Sequence, residues 1–284
     1  MKCIVLGNIT IDVVKTRNST IKRMGGGSYY SALALSKFCN TVLVSSIGED
    51  FPDEWRVRLK NLFEVIFLKA KHTTSFLLDY SGDTRRVFLL QRGGVVETFP
   101  IKRDLMVLNP VMGELNELKP PRGVPFTADL QGFLRRAKPR KEVELVARNL
   151  GFLNGALAIH GEREEVKKAL GLDPRRIGVL VASEGRNGGM ATINGKTYRY
   201  THPKISTTDT TGSGDILLGA LSYYSLRRSI PNALRLSIAF TLLFLERKNV
   251  SFSKGEVKKM ARLVSILPVV SSKQDENGDY LQSP

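Results

Sequence analysis

The segment Thr208-Asp209-Thr210-Thr211-Gly212-Ser213-Gly214-Asp215 holds the residue types of an anion site and of a base in one short stretch. Two glycines flanking a serine let the backbone come close to a ligand. The following Ile216-Leu217-Leu218-Gly219-Ala220-Leu221, continuing to Arg228 without proline, has the composition of a buried helix. A helix N-terminus offers unpaired N–H groups and a positive dipole end, so a phosphate suits the backbone from Gly212 to Gly214. Asp215 falls in the first turn, where the same dipole favours its ionised form. A carboxylate beside an anion site makes sense if it takes the proton of a hydroxyl attacking that phosphate. Taken alone, the residues fit equally well a plain helix cap by Asp209 or Ser213.

The elements that must hold such a site read as alternating strands and helices. Ile4-Val5-Leu6 is a short apolar strand ending at Gly7, and Asp12 follows among Ile9, Ile11 and Val13. Open α/β sheets bind ligands at the carboxyl ends of their strands, which makes Asp12 a candidate; the alternation allows equally the polar face of a second strand. Met24-Gly25-Gly26-Gly27-Ser28-Tyr29-Tyr30 opens a second helix through three glycines, a costly choice in chain entropy unless the backbone must approach something closely. Thr41 to Ile47 reads as a β-branched strand, and a helix is expected from about Asp53 to Asn61. Ser75 to Leu90 contains two apolar runs around Ser81-Gly82-Asp83, a hairpin signal.

Further units end at Asn109-Pro110, near Asp129 and Gln131, and at His160. Asn109, Asp129 and Gln131 would face the same crevice, though each is also a common turn former. Ile177 to Ser183 is an apolar strand, and Met190 to Ile193 with Thr197 to Tyr200 forms a hairpin across Asn194-Gly195. Helices are expected over Asn232 to Glu246 and Glu256 to Leu267.

Composition bounds the function classes. The chain has 284 residues, 42% of them hydrophobic, enough for one large α/β domain or two small ones. No apolar run reaches the roughly 18 to 20 residues of a membrane span, and Met1 to Gly7 reads as a strand rather than a signal peptide, so a soluble cytoplasmic protein with no membrane partner is expected. Cys3 and Cys39 sit in apolar contexts without metal spacing and are expected to be buried reduced thiols. The balance of 43 Lys+Arg against 27 Asp+Glu gives a net charge of +16. Such a field attracts polyanions, but the basic residues are dispersed in pairs. Their densest run, Arg135 to Lys141, lacks interleaved aromatics, so it reads as a solvated face rather than a specific nucleic-acid site.

The pair GGGSYYSALALSKF…VLVSSIGEDF and DTTGSGDILLGAL, in that order, resembles the ribokinase family of PfkB-type carbohydrate and nucleoside kinases, in an archaeal-like form. The resemblance runs from Lys2 to about Val270. It implies a three-layer α/β/α sandwich with a central, mostly parallel sheet. A single domain over 1–270 is expected, with a small β-lid from segments 9–23 and 74–94, and a polar tail at 271–284. The lid segments fit an ordinary edge ribbon as well.

The implied chemistry is transfer of the γ-phosphoryl group of ATP, with Mg2+, to a hydroxyl of a polyol, sugar or nucleoside. Asp215 would be the general base. Thr211, Gly212, Ser213 and Gly214 would form the anion hole, and Asp12, Gly26 and Gly27 would hold the acceptor. Ser183, Gly185 and Gly188 would border the nucleotide. Many members place Asn where this chain has Tyr30; an aromatic floor there suits a cyclic acceptor such as an inositol or a nucleoside, and the tyrosines fit simple packing too. The family commonly carries an Asn and a Glu three residues apart near magnesium and phosphate. This chain aligns His160 and Arg163 with them, leaving Glu162 and Glu164, with Glu165 beside them, as metal candidates or as exposed helix acids. A homodimer through the lid is the expected assembly. A catalytically silent kinase-like binding protein and a nucleic-acid binder are the rival readings.

Overall fold

The computed structural model describes residues 1–82, 84–97, 102–207 and 209–269; the expected polar tail at 271–284 lies outside them. Among the described residues, fifteen strands build the two larger sheets, seven α-helices accompany them, and four further strands are two-residue bridges. The strands are β1 (Lys2–Leu6), β2 (Thr10–Lys15), β3 (Thr20–Gly25), β4 (Asn40–Ile47), β5 (Glu64–Lys69), β6 (Ser75–Asp79), β7 (Arg86–Gln91), β8 (Leu105–Leu108), β9 (Phe126–Asp129), β10 (Lys141–Glu142), β11 (Ala158–Glu162), β12 (Val179–Ser183), β13 (Gly189–Ile193), β14 (Lys196–Thr201) and β15 (Ser265–Pro268). The helices are α1 (Gly27–Leu35), α2 (Asp53–Leu62), α3 (Gln131–Leu134), α4 (Arg163–Lys168), α5 (Ser213–Ser225), α6 (Ile230–Arg247) and α7 (Lys254–Ala261).

The main sheet has ten strands in the order β15-β14-β13-β12-β11-β9-β8-β1-β4-β5. Pairing is parallel from β5 to β12 and antiparallel beyond it. Continuous apolar strands such as Cys3-Ile4-Val5-Leu6 belong in a sheet covered on both faces. Alternate side chains bear this out: Cys3 and Val5 join the core under α1, α2 and α5, and Ile4 and Leu6 join the core on the side of α3 and α4. This is the expected three-layer sandwich. In α5 every side chain from Ile216 to Leu221 is buried, and Gly219 lets the helix touch α1 closely, since a Cβ there would fall 2.5 Å from the Ser31 carbonyl oxygen. Leu218, fully buried between these helices, would cost about 2 to 5 kcal/mol on truncation to alanine.

A second sheet, in the order β10-β7-β6-β2-β3, stands over the carboxyl ends of the main strands. Its ribbons are β2 with β3 and β6 with β7, and its fifth strand comes from Lys141, at the end of the basic run, together with Glu142. No helix among the described residues is long and apolar enough to cross a membrane.

Three local expectations are corrected. Cys3 and Cys39 are joined in a disulfide, with Cα atoms 6.2 Å apart, rather than being reduced thiols. The cause is strand order: β1 and β4 are parallel neighbours with Cys3 opposite Thr41, which brings the chain just before β4 alongside Cys3. The last helix stops at Ala261, and Ser265 to Pro268 adds a strand to the free edge of β14, where backbone pairing replaces another helical turn. Helix α5 ends at Ser225, short of Arg228.

Candidate active site

A cavity of about 490 Å³ lies between the lid and the strand ends of the main sheet. Asp12, Gly26, Gly27, Tyr30, Glu162, Ser183, Gly185, Gly188, Thr211, Gly212, Ser213, Gly214 and Asp215 all line it, so the structure gathers nearly every residue that the sequence singles out. Glu164 and Asn109 are the exceptions: Glu164 points outward and pairs with Lys167 at 2.9 Å, and Asn109 bonds Asp215 without lining the cavity.

Asp215 stands in the first turn of α5. The helix is not capped by a side chain; its N-cap is Gly212 in the left-handed region, φ 76°, and the Asp209 carboxylate accepts the Thr211 N–H in the preceding loop. The plain-cap reading therefore falls away. The cradle is narrower than expected, because the N–H of Thr211 is taken by Asp209 and that of Ser213 by the Thr210 carbonyl. Among the described residues, the N–H groups of Gly212 and Gly214 have no protein acceptor and remain for a ligand.

Asn109, at the end of β8, donates to the Asp215 carboxylate and to the Ser31 hydroxyl, each at 2.9 Å, and Ser31 donates in turn to the Asp215 carbonyl at 2.9 Å. This network aims the Asp215 carboxylate at the cavity. Gly27 must be glycine here, since a Cβ would fall 2.1 Å from Asn109 Oδ1 and 2.7 Å from Asp215 Oδ1. Burial, reinforced by the nearby Asp129 charge, pushes the Asp215 carboxyl up to about 7.

On one side of Asp215 the cavity is walled by Thr10, Asp12, Gly26 and Gly27, and by the lid residues Phe76, Leu78, Tyr80 and Arg85. Asp12 lies on β2 and also faces the cavity, which joins the two readings of that position. It is buried, accepts the Thr10 hydroxyl at 2.7 Å, and is raised above the usual carboxylate range by burial. Arg135 comes from the basic run read as a solvated face; instead its guanidinium turns inward, 5.7 Å over the Phe76 ring, and lines the cavity. Tyr30 does not lie open as a floor. Its ring packs against the cradle, where a Cβ on Gly212 would fall 2.5 Å from the ring, so it supports the loop as much as it borders the cavity.

On the other side the wall is formed by Ser183 and the turn Gly185 to Gly188, by Tyr200, and by an apolar slot of Ile205, Leu217, Ile238, Leu242 and Leu245. The lid is tied to this side: Arg23 of β3 donates to Thr211 Oγ1 at 2.8 Å and pairs with Asp209 at 3.4 Å.

Sequence reading names three further groups, His160, Asp129 and Glu165, without joining them. His160 and Asp129 sit opposite each other on the adjacent strands β11 and β9 and bond at 2.7 Å, both buried. Burial, the largest single influence, opposes the charged form of His160, but Asp129 together with Glu165 and Asp215 outweighs it and the imidazole is raised. Glu165 on α4 is buried, lines the cavity and accepts the Glu162 N–H at 2.8 Å; burial raises its carboxyl too. Glu162 and Glu165, three residues apart at this strand end, both line the cavity. Among the described residues, no group of three or more His, Cys, Asp and Glu is placed to hold a metal ion.

No family model matches the chain, and no curated protein matches it. Solved structures do. A pyrophosphate-dependent kinase in the ribokinase family, complexed with a pyrophosphate analogue and myo-inositol, superposes with a TM-score of 0.72 at 20% identity, covering 91% of this chain and 99% of its own. The nucleoside kinase of Methanocaldococcus jannaschii, an archaeal member of the ribokinase family, gives 0.72 at 16% identity over 92% of this chain and 98% of its own. Ribokinase from Thermotoga maritima gives 0.65 at 14% over 92% and 99%. At such identities the likeness is one of fold, and the fold of this chain is that of ribokinase.

Proposed function

We propose that the chain is an ATP- and Mg2+-dependent kinase that transfers the γ-phosphoryl group to a hydroxyl of a small polyol, sugar or nucleoside, with an inositol-like cyclic polyol as the first candidate. One observation carries this reading: Asp215 stands where two differently built compartments of one cavity meet, beside two backbone N–H groups that have no acceptor among the described residues, and held by Asn109.

The acceptor fits against Asp12 and the Gly26-Gly27 turn under the lid, with a hydroxyl at Asp215. The Asp215 carboxylate takes the proton as that oxygen attacks the phosphoryl group. The N–H groups of Gly212 and Gly214 meet the phosphoryl oxygens as charge builds, and a preorganised donor of this kind is worth about 3 to 4 kcal/mol. The lid excludes water, which limits hydrolysis of the donor.

Mg2+ keeps most of its ligands from water and donor phosphates and needs only one or two carboxylates. The buried, cavity-facing Glu165 fits that need without a closed metal cage. When bound, the ion would neutralise charge on the donor phosphates. The apolar slot of Ile205, Leu217, Ile238, Leu242 and Leu245 favours a nucleotide, because a purine ring would cover it and pyrophosphate would leave it bare. The pyrophosphate dependence of one structural neighbour makes that donor the direct rival. The exposed edge strand β3, with Ile21 at 54% exposure, supports a homodimer through the lid. The reading places the enzyme in the cytoplasm, without specific nucleic-acid or membrane partners.

An acceptor screen with Mg2+ and either ATP or pyrophosphate tests the reading. Phosphorylation of inositols, sugars or nucleosides with ATP supports it. Turnover with pyrophosphate alone would overturn the donor, and none with either would overturn the activity.

A further inference from the structure

Arg135 and Arg85 line the cavity beside Asp12, and the general-base reading uses neither. Arg135 is half-buried, and its backbone is pinned just after α3 by antiparallel pairing with Leu145. Its guanidinium lies 5.7 Å over the ring of the buried Phe76. Arg85 is exposed and lies 5.7 Å over the Tyr80 ring. A ring on one face holds a guanidinium flat and leaves its edge, where the N–H groups are, open to a partner in the plane. Among the described residues that edge has no protein partner in Arg135, which forms no ion pair and donates no side-chain hydrogen bond. The carboxylates of Asp129, Glu165 and Asp215 act on it only across a distance, and they bond His160, the Glu162 N–H and Asn109 instead. Asp12 likewise accepts from Thr10. Burial works against the Arg135 charge, and Arg85 adds like-charge repulsion. An arginine does not shed its proton, so this cost stands until an anion arrives.

We propose that Arg135 and Arg85 form an oxyanion subsite for the acceptor, so that the hydroxyl presented to Asp215 belongs to a polyol or sugar that already carries a phosphate or a carboxylate. The inference rests on the kinase reading above and narrows its acceptor. The donor has charges of its own to meet, because Arg186 and Lys204 line the opposite side of the cavity. A neutral polyol would leave two guanidinium groups facing a closed site with nothing to offset them. The planar fork of an arginine matches phosphate and carboxylate alike, through paired N–H bonds to two oxygens. The acceptor is thus divided between two kinds of group: Asp12 takes hydroxyls, and the arginines take the anion. An inositol-like ring remains compatible with this division as a ring monophosphate.

The test is steady-state kinetics of the full chain with Mg2+ and either ATP or pyrophosphate on matched acceptors: myo-inositol and its 1-phosphate, ribose and ribose 5-phosphate, glucose and gluconate. In at least one pair kcat/KM should favour the anionic member by about 100-fold, as paired hydrogen bonds to a charged group do. The phosphate pairs and the carboxylate pair then tell which oxyanion the subsite takes. Arg135→Gln should lower that preference about 30-fold, through the KM of the anionic acceptor and without moving the donor KM. Arg135→Lys, which keeps the charge and loses the fork, should retain part of it. Arg85→Gln, at an exposed position, should lower it about threefold, as loss of an exposed ion pair does. If the parent chain uses neutral members as well as anionic ones, the subsite is overturned and the kinase reading stands. The same follows if Arg135→Gln slows both members of a pair alike, which would put the guanidinium on the transferred group. No turnover of any acceptor with either donor would overturn both.

Discussion

The two compartments that meet at Asp215 are built differently. On the proposed reading, the donor side comes largely from the stretches Ser183 to Gly188, Tyr200 to Thr207 and Thr210 to Leu217, backed by the inner face of α6. The acceptor side collects single residues from β2, the start of α1, β6, and the chain just before β7 and just after α3: Asp12, Gly27, Phe76, Arg85 and Arg135. A phosphate is a constant target, read by backbone N–H groups that any helix start can present. The acceptor is read by side chains, and those reach one another only through the topology. The donor side is therefore fixed by local chain geometry and the acceptor side by long-range assembly, so substitutions in the two should separate cleanly in kinetics.

The largest effect away from Asp215 itself is expected at Gly27, where both sides depend on one close contact. Gly27→Ala would drive a methyl into Asn109 and Asp215 and displace the base, lowering kcat about 100-fold. Equal losses in donor binding would show that the damage is not confined to the base. Asp12→Ala should raise the acceptor KM about 30-fold with donor binding unchanged, since it removes hydrogen bonds to a charged group on one side alone. Movement of the donor affinity would blur the comparison.

The pH dependence should belong to the junction. The folded-state Asp215 carboxyl titrates at about 7, above its ordinary value, so the base is lost as pH falls through 7. Turnover at saturating substrates should drop about tenfold from pH 8 to pH 6, by the Henderson–Hasselbalch ratio around that value. A profile flat down to pH 5 would contradict it. The smallest effect is expected in the apolar slot: Leu242→Trp should raise the ATP KM about fivefold by filling the purine site, leaving the acceptor KM unmoved.

The same contrast governs what can be read from sequence. The glycine-led start of α5 and the cavity-facing Asp215 behind it are legible because the residues are contiguous, and so are the ribbons of the second sheet, whose turn residues sit between apolar runs. Arg135 is not, because its basic neighbours give the run the pattern of a solvated face; only the end of α3 turns it over Phe76. Glu165 hides among exposed acids on a helix too short to show a periodic face. The bonds between Asp129 and His160, and between Cys3 and Cys39, depend on which strands are neighbours, information that pairing register holds and local pattern does not.

The central claim is that Asp215 removes the acceptor proton. The most direct test compares the parent chain with Asp215→Asn in single-turnover phosphoryl transfer from Mg2+-bound ATP to the acceptor found in the screen. The carboxamide preserves size and can still accept from Asn109, so donor and acceptor affinities should stay within about threefold. The transfer rate should fall by about 1,000-fold. A transfer rate within tenfold of the parent would contradict the account.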